Sequence, residues 1–173
     1  MNHKTFLLFA LLLNLYGCSK EPSPQLPPAT HTGANILACK VNGQVYIATN
    51  AVAGVFVTVI PVSYIFYSDS TLVVGAAGNS TLGNTMGTPN FNVSISSKFK
   101  GSIGTYSIIS TPFNPGGGVY NNDYTTANTT TGGSITYTYY DGYVLAGTFV
   151  FDASDSSGHV VHITEGRFDI THL

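Results

Sequence analysis

Charge is scarce in this sequence. Six Lys and Arg face eight Asp and Glu in 173 residues, only 8% of the chain, so there is no basic patch with which to hold nucleic acid. Strong helix formers such as Glu, Lys and Leu are thin outside the first residues, and no window of useful length carries a helical period, which argues against a helical fold. Neither a G-x-S-x-G elbow, nor a phosphate-binding Gly-rich loop, nor an HExxH pair occurs, so no motif names a catalytic residue or a cofactor site. Cysteine is limited to Cys18 and Cys39. What remains is rich in Tyr, Thr, Val, Ile, Gly and Asn, the composition of strands and turns.

The first residues read as an export signal. Lys4 precedes an apolar stretch from Phe6 to Leu15 that ends in Gly17-Cys18, and it is shorter than the roughly 20 apolar residues that span a bilayer. Leu15-Tyr16-Gly17-Cys18 resembles the lipobox of bacterial lipoproteins, with Tyr16 departing from the usual small or aliphatic residue. That resemblance implies acylation of Cys18, a membrane partner through this anchor, and, because Ser19 rather than Asp follows, an outer-membrane address in the cell envelope. Several acyl chains on one cysteine would anchor the protein firmly. After Cys18 the stretch "SKEPSPQLPPATHTG" is rich in Pro and lacks an apolar period, as in an extended tether. The expected organisation is a signal peptide over 1–17, a disordered tether over 18–33 and one folded domain over 34–173.

Alternating apolar residues between turn residues predict strands near 36–41, 44–49, 55–60, 63–67, 71–77, 91–97, 104–110, 134–139, 143–152, 159–164 and 167–171. The fold class that follows is all-β: one antiparallel β-sandwich or flattened barrel of about 9–11 strands with little or no helix. Loop length decides which residues share a face. A three-residue loop at Tyr140-Asp141-Gly142, with a bulge at Gly142, gathers Ile135, Tyr137, Tyr139, Tyr143, Leu145, Phe149 and Phe151 on one side. The same loop at Val41-Asn42-Gly43 gathers Leu37, Cys39, Val45 and Ile47. Most rings of "SITYTYYDGYVLAGTFVF" are then core, Ser134, Thr136, Thr138, Tyr140, Ala146 and Thr148 lie on a solvent face whose apolar members are Val144 and Val150, and Cys39 is a buried thiol. In "HVVHITEGRFDI" the apolar parity switches between Ile163 and Phe168, so Gly166 is expected to mark a bulge.

Two segments stand apart. "AVAGVFVTVIPVSYIFY", residues 51–67, is apolar and β-branched, and reads as two buried strands or, if uncovered, a contact patch. Residues 112–133 read as a long irregular loop, on which Tyr120 and Tyr124 are the candidates for a ligand or partner contact. His159 and His162 stand three apart on a strand and point to opposite faces, so they do not clasp one metal. The sequence therefore predicts no catalytic, cofactor or metal residue.

"LACKVNGQVYIA", "GTYSI" and "LAGTFVFDASDSSGHVVHITEGRFDI" together resemble an uncharacterised family of Bacteroidetes lipoproteins. The resemblance implies an all-β lipoprotein and carries over no catalytic residue. The expected role is a non-enzymatic binding or accessory module for glycan or a partner protein. The alternatives are a packing component of an envelope assembly that uses 51–67, and a hydrolase without a recognised motif.

Overall fold

The computed structural model describes residues 25–48, 62–78, 91–111, 115–120, 124–126 and 132–171. The expected signal peptide, Cys18 and residues 51–61 of the apolar segment lie outside them. Among the described residues eleven strands are present: β1 (Ile36–Val41), β2 (Gln44–Ile47), β3 (Val62–Phe66), β4 (Thr71–Gly78), β5 (Phe91–Lys98), β6 (Gly104–Ser107), β7 (Gly118–Tyr120), β8 (Tyr124–Thr125), β9 (Gly133–Tyr140), β10 (Val144–Ser154) and β11 (Val160–Thr171). They form one antiparallel sheet in the order β2-β1-β11-β10-β8-β7-β5-β4-β3, with β9 on β10 and β6 on β9. β10 is the fork: Leu145 to Phe151 pair with β9, while Ser154 reaches Thr125 of β8. The sheet curls into a half-barrel, in keeping with the all-β expectation.

Curling brings one face of the sheet inward, and alternation fills it. Leu37, Cys39 and Val41 of β1, Leu72 and Val74 of β4, Val93 and Ile95 of β5, Ile135 and Tyr137 of β9, Phe149 and Phe151 of β10 and Ile163, Phe168 and Ile170 of β11 join one buried cluster. Its aromatic part centres on Phe99, whose ring centroid lies 4.3 Å from Tyr137, 5.3 Å from Tyr140, 5.8 Å from Phe66 and 5.9 Å from Tyr106. Such spacings add edge attraction to area burial. Across this core the Tyr137 hydroxyl meets Ser97 Oγ at 2.7 Å, so a buried polar atom is satisfied where β9 faces β5. Burial pushes the Tyr137 phenol well above its ordinary pKa, against the lowering effect of the Ser97 bond.

Both expected three-residue hairpin loops are corrected. In the first, Val41 pairs Gln44 and the turn is Asn42-Gly43 alone, with φ of 49° and 84°. Asn tolerates the left-handed region, and two such residues in succession match the twist of a two-residue hairpin. Tyr46 and Ala48 consequently take the inner face in place of Val45 and Ile47. In the second, Tyr140 pairs Leu145 and Tyr139 pairs Ala146, after which the register steps to Tyr137 and Gly147. The bulge residue is thus Thr138, not Gly142. Ile135, Tyr137, Leu145, Phe149 and Phe151 are buried as expected. Tyr140 rather than Tyr139 packs on the core, while Tyr143 is 63% exposed at the turn.

The expected long loop also contains structure: β7 and β8 form a small hairpin within 112–133. Thr126 Oγ1 accepts from Gly118 N at 3.1 Å and donates to Gly116 O at 2.7 Å. Gly118 lies so close to Phe151 that a Cβ would stand 2.9 Å from its ring. Strands of two and three residues are too short for alternation to register.

Of the expected tether over 18–33, residues 18–24 lie outside the described residues, and the part from Pro27 onward is corrected. From Pro27 to Asn35 the chain is bonded to the outer face of β10 and β11 as a strap. Thr30 Oγ1, Thr32 N and Gly33 N donate to the Asp169 carboxylate at 2.6, 2.9 and 2.7 Å. Thr171 Oγ1 donates to Gly33 O at 2.9 Å, and Thr171 N to Asn35 Oδ1 at 2.9 Å. His31 stacks on Tyr139 at 4.9 Å. The strap explains why outward-facing Val144, Ala146 and Asp169 are buried.

Candidate functional site

The expected bulge in β11 is present and shapes the outer face. Opposite β10 the pairing passes from Phe149–Gly166 to Phe151–Ile163, and opposite β1 from Ala38–Arg167 to Lys40–Thr164, leaving one extra residue on β11. Glu165 takes a left-handed φ of 50°, an unfavourable backbone region for a residue with a side chain. Gly166 is required beside it, since a Cβ there would lie 2.4 Å from the Phe149 ring. The extra residue restores Phe168 and Ile170 to the core and turns Glu165 and Arg167 outward.

Next to the bulge lies a depression of about 280 Å³, lined by Ser134, Thr136, Thr148, Phe149, Val150, Glu165, Gly166 and Arg167. A second depression, of about 400 Å³, shares Ser134 and Val150 with it and adds Gly132, Gly133, Phe151 and Asp152. The two make a shallow trough across β9, β10 and β11. Its walls are hydroxyls, with Thr136 Oγ1 also bonded to Thr105 Oγ1 at 2.8 Å. Val150, 46% exposed, gives an apolar step in the floor.

The charged side chains of the trough are held in place. Lys40 Nζ pairs with Glu165 Oε1 at 2.5 Å. Arg167 donates from Nη1 to Pro27 O at 2.8 Å and from Nε to Glu165 O at 3.4 Å. Asp152 Oδ1 meets His162 Nδ1 at 2.7 Å. Next along the face, Asp169 is 3% exposed beneath the strap. Burial alone would raise its carboxyl pKa, but the bonds from Thr30, Thr32, Gly33 and Ala34 outweigh that and hold it below the ordinary range. At the β10–β11 turn Asp155 receives His159 Nδ1 at 2.9 Å and the amides of Ser157 and His159. The bond from the His159 side chain leads in lowering its pKa. His159 and His162 thus each face a different aspartate, and among the described residues no His, Cys, Asp or Glu cluster is arranged to hold a metal.

The contact candidates read from the sequence, Tyr120 and Tyr124, sit elsewhere. Tyr120 is 8% exposed and belongs to the core, 6.3 Å from Tyr46. Tyr124 is half-buried against it. Neither lines the trough. Cys39 is fully buried and its thiol is pushed up to about 12 by desolvation, which leaves it inert at neutral pH. The sequence gives no motif for Arg167 and Glu165, and Asp152, which with Asp155 precedes Gly158 without the alternating oxygen ligands of a calcium loop, reads there only as part of a polar turn. The parity switch at Gly166 was their one visible signal, because a bulge re-aims its neighbours. Comparison of the chain with family models, with curated proteins and with solved structures finds no match.

Proposed function

We propose that the chain is an outer-membrane lipoprotein, acylated at Cys18, whose domain binds a polyhydroxylated ligand, a glycan, in the outer-face trough without transforming it. The observation that carries this reading is the trough itself: Ser134, Thr136 and Thr148 offer hydroxyls between Arg167 at one end and Asp152 at the other. Hydroxyls, a carboxylate and a guanidinium supply both donors and acceptors to a ring of sugar hydroxyls. Val150 offers apolar contact to a sugar face. Rigid strands position these groups, which favours a preformed site. A glycan array probed with the wild type and with Thr148→Tyr tests it: wild type is retained on a subset of glycans and the variant, its trough filled, is not. Equal retention of the two, or no retention of wild type, overturns the assignment. The anchor has its own test, since a clickable fatty acid labels wild type and fails to label Cys18→Ser.

A second reading is supported by β3, which ends the sheet order and leaves Ile65 52% and Phe66 37% exposed. Apolar side chains at a sheet edge suit contact with another envelope protein. Cross-linking from position 65 in intact cells tests it, and a partner captured there but not from position 148 favours the edge over the trough.

A further inference from the structure

Arg167 is held by carbonyls and not by carboxylates. Its Nη1 donates to Pro27 O at 2.8 Å and its Nε to Glu165 O at 3.4 Å, and among the described residues no carboxylate forms an ion pair with it. The nearby acids are already engaged. Lys40 holds Glu165, the strap hydroxyl and amides hold Asp169, and His162 meets Asp152. Carbonyl dipoles orient the guanidinium without neutralising it, and among the described residues no acceptor is bonded to the remaining N–H donors of the fork. A half-buried fork aimed by backbone and set beside hydroxyls matches the planar geometry of a carboxylate.

We infer that the trough selects an acidic saccharide, a uronic-acid sugar whose carboxylate seats on Arg167 while its ring hydroxyls reach Thr148, Thr136, Ser134 and the Asp152 carboxylate. At the Arg167 end Glu165 is already paired with Lys40, which leaves the guanidinium to meet the ligand's carboxylate, and the ligand's hydroxyl donors belong at the Asp152 end. A neutral sugar satisfies the hydroxyls alone and forgoes the charge-assisted pair. The strap is part of this site because Pro27 supplies one of the two acceptors that aim Arg167. Thr30 and Thr32, through Asp169, are therefore positioning residues for the arginine.

This inference rests on the glycan reading above, and the experiment separates the two. Oligomers of glucuronic, galacturonic and mannuronic acid and their neutral hexose counterparts are titrated by calorimetry into the full chain in detergent micelles. The expected result is binding of one acidic series in preference to its neutral counterpart. Arg167→Gln lowers that affinity by about ten-fold or more, and Arg167→Lys, which keeps the charge but loses the fork, falls between. The double substitution Thr30→Val with Thr32→Val, which leaves every trough side chain in place, weakens acidic binding while neutral binding is unchanged. If neutral sugars bind as well as acidic ones, or Arg167→Gln leaves acidic binding unchanged, the inference is overturned and the glycan reading stands. If neither series binds, both fall. Should Arg167→Gln fail to fold, the acidic-to-neutral preference of wild type and the strap variant still decide the matter.

Discussion

The two faces of β9, β10 and β11 are built from alternate residues of the same strands, yet they do opposite work. Inward, Ile135, Tyr137, Phe149, Phe151, Ile163 and Phe168 are each 3% exposed or less and join the opposite side of the half-barrel. Outward, Ser134, Thr136, Thr148 and Val150 line a trough, and a strap of non-repetitive chain covers Val144, Ala146 and Asp169. The inner face is apolar and closed by close packing, so its cost of change is measured in cavities and clashes. The outer face is hydroxylated, and its order comes from a bulge and a strap. Packing stability therefore lies on one side of a single sheet, and the proposed binding trough on the other.

That contrast is tested most severely at adjacent positions. Phe149→Ala and Phe151→Ala remove rings that lie 6.2 Å apart in the core and are expected to cost about 3–5 kcal/mol each, read as a drop in urea midpoint. Gly166→Ala presses on the same ring from the paired position on β11. Its Cβ would stand 2.4 Å from Phe149, so the overpacked site is expected to lose about 1–3 kcal/mol. A Gly166→Ala variant as stable as wild type would show that Phe149 is free to move and that the bulge, not the ring, sets the spacing.

How far the sequence discloses these faces depends on the length of the pattern. β10 and β11 alternate for long enough that Phe149, Phe151, Ile163 and Phe168 are legible as core, and the parity switch exposes the Glu165–Gly166 bulge. The hairpin registers are less legible. Asn42-Gly43 permits two loop lengths, and β9 hides its bulge at Thr138, an ordinary strand residue, instead of at the glycine that advertises one. Tyr140 and Tyr139 exchange faces for that reason alone. The trough is less legible still. Arg167 is aimed by Pro27, 140 residues away in the chain, inside a stretch whose composition reads as tether. Hydrogen bonds from backbone amides to a distant aspartate leave no trace in periodicity.

The strap gives the intermediate effect. Asp169→Ala leaves the donors of Thr30, Thr32 and Gly33 without their acceptor and is expected to cost about 1–3 kcal/mol, a figure moderated by water that reaches the loosened strap. Acid should do the same reversibly. Because the folded carboxyl titrates below the ordinary aspartate range, its contribution is fully present above that range and is lost as pH falls through the depressed folded value. Hydrogen exchange, corrected for the intrinsic pH dependence of the chemistry, is expected to show Thr32 and Gly33 amides opening on acidification before those of β10. Simultaneous opening would make strap and sheet one cooperative unit and erase the distinction between a closed inner face and a clasped outer one.

The smallest effect sharpens the comparison most, because it falls next to the largest. Thr148 precedes Phe149, pairs Thr136 and Arg167 on the neighbouring strands, and points away from the core into the trough. Removing its hydroxyl and methyl opens no cavity and strands no buried partner, so Thr148→Ala is expected to stay within about 0.5 kcal/mol of wild type. Its ligand affinity should fall nonetheless, by the worth of one hydrogen bond to a sugar hydroxyl, about 0.5–1.5 kcal/mol. A urea melt and a titration on the same preparation separate the two quantities. Were Thr148→Ala to lose stability on the scale of Phe149→Ala while binding was untouched, the outer face would be a second packing surface, and the trough would be a seam in it.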